Sequence, residues 1–203
     1  MRSPVPIKIS LLSLCLLMAS TSLSAAKVIS ETSPDTGLKS WGFIANGLDL
    51  KFIQRLPDQT RGFFLGRGFT VEQANDIATQ CVFQTVAKNT QSKPDGKAVS
   101  IDLSQWKVFI NGKEGRVKLK EDWKKQWQAL EHTDKKVRMS AQIAFRWSTF
   151  PSQQEFEPGG DYNWGMISFG LPPGQHFDLQ VNWLNGDKSH SMLIKNIQCP
   201  EDN

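Results

Sequence analysis

Single alternation of apolar and polar residues dominates this chain, the mark of strands with one buried and one wet face. Leu48, Leu50 and Phe52 alternate with Asp49 and Lys51. Val99, Ile101 and Leu103 predict one strand, and Trp106, Val108 and Ile110 the next. A turn at 111–115 then returns the chain through Val117 and Leu119 as a hairpin. The longest alternation covers 137–147: Val137, Met139, Ala141, Ile143, Phe145 and Trp147 fall on one side, with Arg138, Ser140, Gln142 and Arg146 on the other. It predicts a strand with six core side chains. Residues 164–171 predict another, stopped by Pro172-Pro173-Gly174. In the last hairpin Phe177, Leu179, Val181 and Trp183 lead into Asn185-Gly186, a strong turn signal, and 189–197 return. Its parity sends His190, Met192 and Ile194 to the side of Val181, Leu179 and Phe177.

Two stretches switch to helical spacing. Thr70-Val71-Glu72-Gln73 has the form of a capping box. The apolar stripe after it (Ala74, Ile77, Ala78, Cys81, Val82 and Val86) predicts a helix from 70 to 88. Residues 121–131 place Trp123, Trp127 and Leu130 on one face. Residues 27–40 are polar and read as a flexible lead-in. Residues 89–97 are a loop, and so are 152–160, with a short edge segment near Phe156. The sum predicts a mainly-β chain, an antiparallel β-sandwich of Ig-like, Greek-key type. It carries two helices, one ahead of the main strands and one inserted.

The N-terminus changes the picture from fold to location. Arg2 and Lys8 precede a short apolar run at 9–18, and Ser24-Ala25-Ala26 offers the small residues that signal peptidase needs. Residues 1–26 therefore read as a secretory signal peptide, too short for a membrane span. Residues 27–203 form a single exported domain with no transmembrane segment, expected in a periplasm. Cys15 leaves with the leader, so Cys81 and Cys199 remain. In an oxidising compartment an even pair predicts a disulfide. Of 24 basic residues two lie in the leader and none of the 20 acidic ones do, so the exported part carries 22 against 20, a net +2. That balance argues against nucleic acid as a partner.

Candidate chemistry is sparse. No nucleophile elbow, phosphate loop or closely spaced metal-ligand motif occurs. Trp106, Trp123, Trp127, Trp147 and Trp183 fall on apolar faces and are expected in the core. Trp164 is the exception. If Ile167, Phe169 and Leu171 face inward, then Trp164, Met166 and Ser168 face out, behind a Gly-rich loop at 157–163. Asp161, Tyr162 and Trp164 are therefore the candidate binding residues, for a partner protein of the cell envelope. The expected role is that of an accessory or binding protein rather than an enzyme, with no cofactor. A second reading is copper handling. Met166, His190 and Met192 supply thioether and imidazole ligands suited to Cu(I), with Trp164 beside them. A third is an envelope hydrolase using the loop carboxylates Glu155, Glu157 and Asp161. The basic run Lys118, Lys120, Lys124, Lys125, Lys135, Lys136 and Arg138 is interleaved with Glu121, Asp122 and Glu131. It reads as a mixed solvated surface, with an acidic partner or an anionic membrane surface as the functional alternative.

Overall fold

A computed structural model describes residues 27–202. The signal peptide expected at 1–26 lies outside the described residues. Among these residues eleven strands form two antiparallel sheets, and four α-helices, rather than the two expected, roof one of them. The first sheet runs β1 (Val28–Thr32), β2 (Lys39–Ala45), β3 (Leu48–Gln54), β4 (Val82–Asn89) and β9 (Tyr162–Ser168). Its first four strands are a meander in chain order, not the interleaved order of a Greek key. In the second sheet β10 (His176–Asn185) pairs along one edge with β11 (Lys188–Gln198). Its other edge takes β6 (Lys107–Ile110) and β5 (Val99–Asp102) end to end. Outside these lie β7 (Lys113–Arg116) and β8 (Gln153–Phe156).

The sheets bury one shared core. Phe43 meets Trp183 at 5.2 Å between ring centroids, and Phe52 meets Trp106 edge-on at 5.9 Å. Both buried indoles keep a hydrogen bond: Trp106 Nε1 donates to the Asn182 carbonyl at 3.0 Å and Trp183 Nε1 to that of Asn46 at 3.4 Å. The parity expected for the last hairpin holds, with Trp183 opposite His190, Val181 opposite Met192 and Leu179 opposite Ile194. A bulge follows. Asn196 takes a φ of +55° and its N–H donates to Asp178 at 2.8 Å, which returns Ile197 to the core.

The expected disulfide is present. Cys81, between α2 (Val71–Ala78) and β4, is bonded to Cys199, just past β11, across 118 positions of sequence. It ties the end of the second sheet to the first. Beside it Gln54 Nε2 donates to the Gln198 carbonyl at 3.0 Å.

A second apolar layer covers half of the first sheet's outer face. It is built by α1 (Pro57–Leu65), α2, α3 (Lys120–Gln128) and α4 (Met139–Ser148). Phe64, Phe69, Trp123, Trp127 and Phe145 fill it, with Val82 and Met166 rising from the sheet below. Trp123 Nε1 donates to Ser168 Oγ at 3.0 Å. At its edge Lys118 Nζ lies 3.5 Å from the Trp123 ring centroid, and burial pushes this amine below its ordinary range.

Four expectations about local structure are corrected. The turn expected at 111–115 is Asn111-Gly112 alone, and the strand that returns from it is β7, not Val117 to Leu119. The strand predicted over 137–147 is the helix α4. Its buried side chains are Ala141 and Phe145, with Val137 just ahead of it buried in the same series four residues apart, and a spacing of four satisfies both a period of two and a helical face. The helix predicted over 70–88 has the expected capping box, with Gln73 N–H donating to Thr70 Oγ1 at 3.3 Å, but ends at Ala78. Cys81 sits at a φ of +55°, which a helix cannot continue through, and residues 82–89 become β4. The start of β4 lies between the two cores, with Val82 in the helical layer and Phe83 in the core shared by the sheets, so adjacent residues are both apolar and the periodicity is blurred there. Residues 27–40, expected to be a flexible lead-in, contain β1 and the start of β2. Asn46-Gly47, both at positive φ, close the tight turn between β2 and β3.

Candidate functional site

Register fixes what shares the open half of the first sheet. Trp164 stands opposite Val86, Val86 opposite Lys51, Lys51 opposite Gly42, and Gly42 opposite Ile29. The next row runs Tyr162, Lys88, Asp49, Ile44. Directly paired residues of antiparallel strands project to the same face, so these two rows form one surface. Farther along β9, Met166 and Ser168 share that face but lie under the helices. The expected parity was right and the expected surroundings were wrong for these two. The roof stops short of Trp164 and Tyr162, which are 61% and 62% exposed.

The backbone around them is rigid. Gly165 has no side chain because a Cβ there would come within 2.7 Å of Phe150 Cα. The end of α4 therefore presses on β9 directly, and the Phe150 N–H donates to the Met166 carbonyl at 2.9 Å. Trp164 N–H is held by Asn163 Oδ1 at 2.8 Å, and Asn163 Nδ2 donates to Gln154 Oε1 at 3.1 Å, linking the two sheets. Gly42 opens a shallow groove of about 190 Å³ at the far end, flanked by Ile29, Ile44 and Lys51. Lys51 pairs with Glu31 at 3.2 Å.

Asp161 differs from its neighbours. Its carboxylate accepts the Glu157 N–H at 3.0 Å, and its carbonyl accepts the Asn89 N–H at 2.9 Å. Gly159 and Gly160, at φ of +105° and +89°, shape the same turn. The loop is thus stapled to β4, and Asp161 is engaged in holding it. Glu155 accepts from Ser100 Oγ at 3.1 Å on the other sheet.

The three copper-ligand candidates are not brought together. His190 stacks on Trp183 at 5.5 Å and Met192 packs against the core shared by the sheets. Met166 belongs to the helical layer, on the other side of the first sheet. Among the described residues no group of three or more His, Cys, Asp or Glu is placed to hold a metal ion.

One surface was not read from sequence. The face of α4 opposite its buried stripe carries Met139, Ile143 and Trp147, which are 67%, 44% and 79% exposed. Trp147, expected in the core, is the most exposed of the chain's large apolar side chains among the described residues. Between α3 and α4 runs a groove of about 700 Å³, lined among others by Lys120, Lys124, Met139, Ile143 and Arg146. The signal was present in sequence as a second spacing-of-four series, hidden inside the apparent alternation.

At the start of α3, Asp122 accepts from Arg116 Nη1 and Nη2 at 2.6 and 2.9 Å and from the Leu119 N–H at 2.9 Å. The Arg116 hydrogen bonds hold its carboxyl below the usual range.

No helix among the described residues is long and apolar enough to cross a membrane. Comparison of the chain with protein-family models, with curated proteins and with solved structures finds no match.

Proposed function

We propose that this is an exported protein of the periplasm that acts by recognising a partner protein, through the open half of its first sheet. The observation that carries the reading is an exposed aromatic pair on a sheet. Trp41, Trp106, Trp123, Trp127 and Trp183 are buried; of the two exposed tryptophans, Trp147 projects alone from α4, whereas Trp164 stands beside an equally exposed Tyr162 on a hydrogen-bonded strand. Exposed Trp and Tyr cost little rotamer entropy to immobilise and lose much apolar surface on docking, which is why such pairs anchor interfaces. Ile44 and Ile29 extend the patch, while Asp49, Lys51 and Lys88 give it polar surroundings suited to register. The export half of the proposal draws on the leader pattern at 1–26 and on the buried Cys81–Cys199 bridge, a bond that persists in oxidising compartments.

The test is site-specific photo-crosslinking in the exporting cell. A photoreactive phenylalanine analogue at position 164 should give a discrete protein adduct, and the same analogue at Asp187, in the turn between β10 and β11, should not. The partner so identified should then lose at least about tenfold in affinity for a Trp164→Ala, Tyr162→Ala double variant of unchanged melting temperature. Identical adducts at 164 and 187, or unchanged affinity of the double variant, would end the proposal.

A further inference from the structure

We infer that the α3–α4 face is a docking surface for an anionic lipid bilayer. This inference rests on a different surface from the one proposed for protein recognition. α4 is apolar on two sides. One side, Ala141 and Phe145, is buried against the aromatic layer together with Val137 just ahead of the helix. The other, Met139, Ile143 and Trp147, has the same spacing and stays 44–79% exposed. A helix that only roofs a sheet needs one apolar stripe, so the second is unexplained by the fold.

The charge around this stripe says what covers it. Residues 118–147 hold eight basic side chains against four acidic ones, a net +4. The chain from Lys27 onward totals +2, so everything outside this segment is net −2. The positive charge is therefore concentrated on the segment that carries α3 and α4. Two of the four acids are already engaged by cations, Asp122 by Arg116 and Glu131 by Lys136 at 2.5 Å. Lys120, Lys124, Lys125, Lys135, Arg138 and Arg146 form no ion pair among the described residues. Lys120, Lys124 and Arg146 border the same groove as Met139 and Ile143.

A projecting tryptophan, a thioether and a branched aliphatic in a row, flanked by unpaired cations, is the composition of a helix lying at a lipid–water interface. The indole sits at headgroup depth, and the long basic side chains reach the phosphates. α4 spans ten residues, roughly 15 Å, so its apolar contact alone is small. Attraction of the cations to anionic headgroups supplies the rest, which makes the attachment reversible and salt-dependent.

The full exported chain, purified oxidised, is mixed with vesicles of phosphatidylethanolamine and phosphatidylglycerol, and separately with phosphatidylcholine alone. Sedimentation with the anionic vesicles only, a blue shift of tryptophan emission and release at about 0.5 M salt are expected. Lys124→Glu with Arg146→Glu should weaken partitioning at least about tenfold, and Trp147→Ala severalfold with loss of most of the blue shift. Trp164→Ala with Tyr162→Ala should leave vesicle binding intact, which separates this inference from the protein-recognition proposal. All variants are at surface positions, and a matching melting temperature checks their fold. Absence of binding to anionic vesicles, equal binding to phosphatidylcholine, or binding indifferent to the charge reversals would overturn the inference.

Discussion

Phe145→Ala and Ile143→Ala, two residues apart in sequence, should have opposite energetic weight. Phe145 is buried in the helical layer, with ring centroids 4.8 Å from Trp127, 5.5 Å from Phe64, 5.7 Å from Trp123 and 6.4 Å from Phe69. Truncating a buried phenylalanine costs about 3–5 kcal/mol, from lost transfer energy and the void left behind. Four aromatic neighbours that cannot all collapse into that void place the cost at the upper end, about 4–5 kcal/mol. For a chain of this size that is a fall in melting temperature of roughly 8–20 °C. Ile143 lies half in solvent on the opposite side of α4, so Ile143→Ala should stay within about 0.5 kcal/mol of the parent. Urea unfolding followed by tryptophan emission and by far-ultraviolet circular dichroism measures both. If 137–147 were a strand with six inward side chains, the two truncations would cost similar amounts. Comparable losses, or a Phe145→Ala loss below about 1.5 kcal/mol, would refute the assignment of α4 and its two faces.

Removing the disulfide as Cys81→Ala, Cys199→Ala should destabilise by up to about 5 kcal/mol, the chain-entropy value for a bridge across 118 positions, read from urea unfolding of the pair against the oxidised parent. A loss under 1 kcal/mol would mean the denatured chain is already compact there. Gly165→Ala should cost at least about 2 kcal/mol, because the new Cβ meets the Phe150 backbone, which has no side-chain freedom to yield. The charge of Asp122 should matter most near neutral pH. Its folded-state pKa is depressed, so its stabilisation is full above the unfolded value near 4 and fades as pH falls through the lower folded value. Asp122→Asn should therefore cost about 1 kcal/mol at pH 7, with Arg116 largely exposed, and the gap to the parent should narrow as pH falls through the depressed folded value in thermal melts. A gap that widens on acidification would contradict the Arg116 pairing.

Much of this fold is legible in the sequence because neighbouring residues enforce it. The capping box at Thr70 and Gln73, the hairpin turn at Asn185-Gly186 and the parity that sends His190 and Met192 inward are settled within a few residues of chain. So is the pairing of Cys81 with Cys199, once only two cysteines remain. The same local logic shows that Trp164 and Met166 share a face of β9.

Tertiary structure decided what local pattern leaves degenerate. A series spaced by four fits a strand and a helix equally, and only the aromatic layer waiting at Phe64, Trp123 and Trp127 selects the helix for 139–148. Adjacent apolar residues such as Val82 and Phe83 fit a helix or a strand covered on both faces, and only the two cores on either side of them select the strand at the start of β4. Parity tells which residues share a face but not what lies over that face. The roof of helices ends between Met166 and Trp164, and that boundary, fixed by long-range packing, makes one a core residue and the other a candidate anchor.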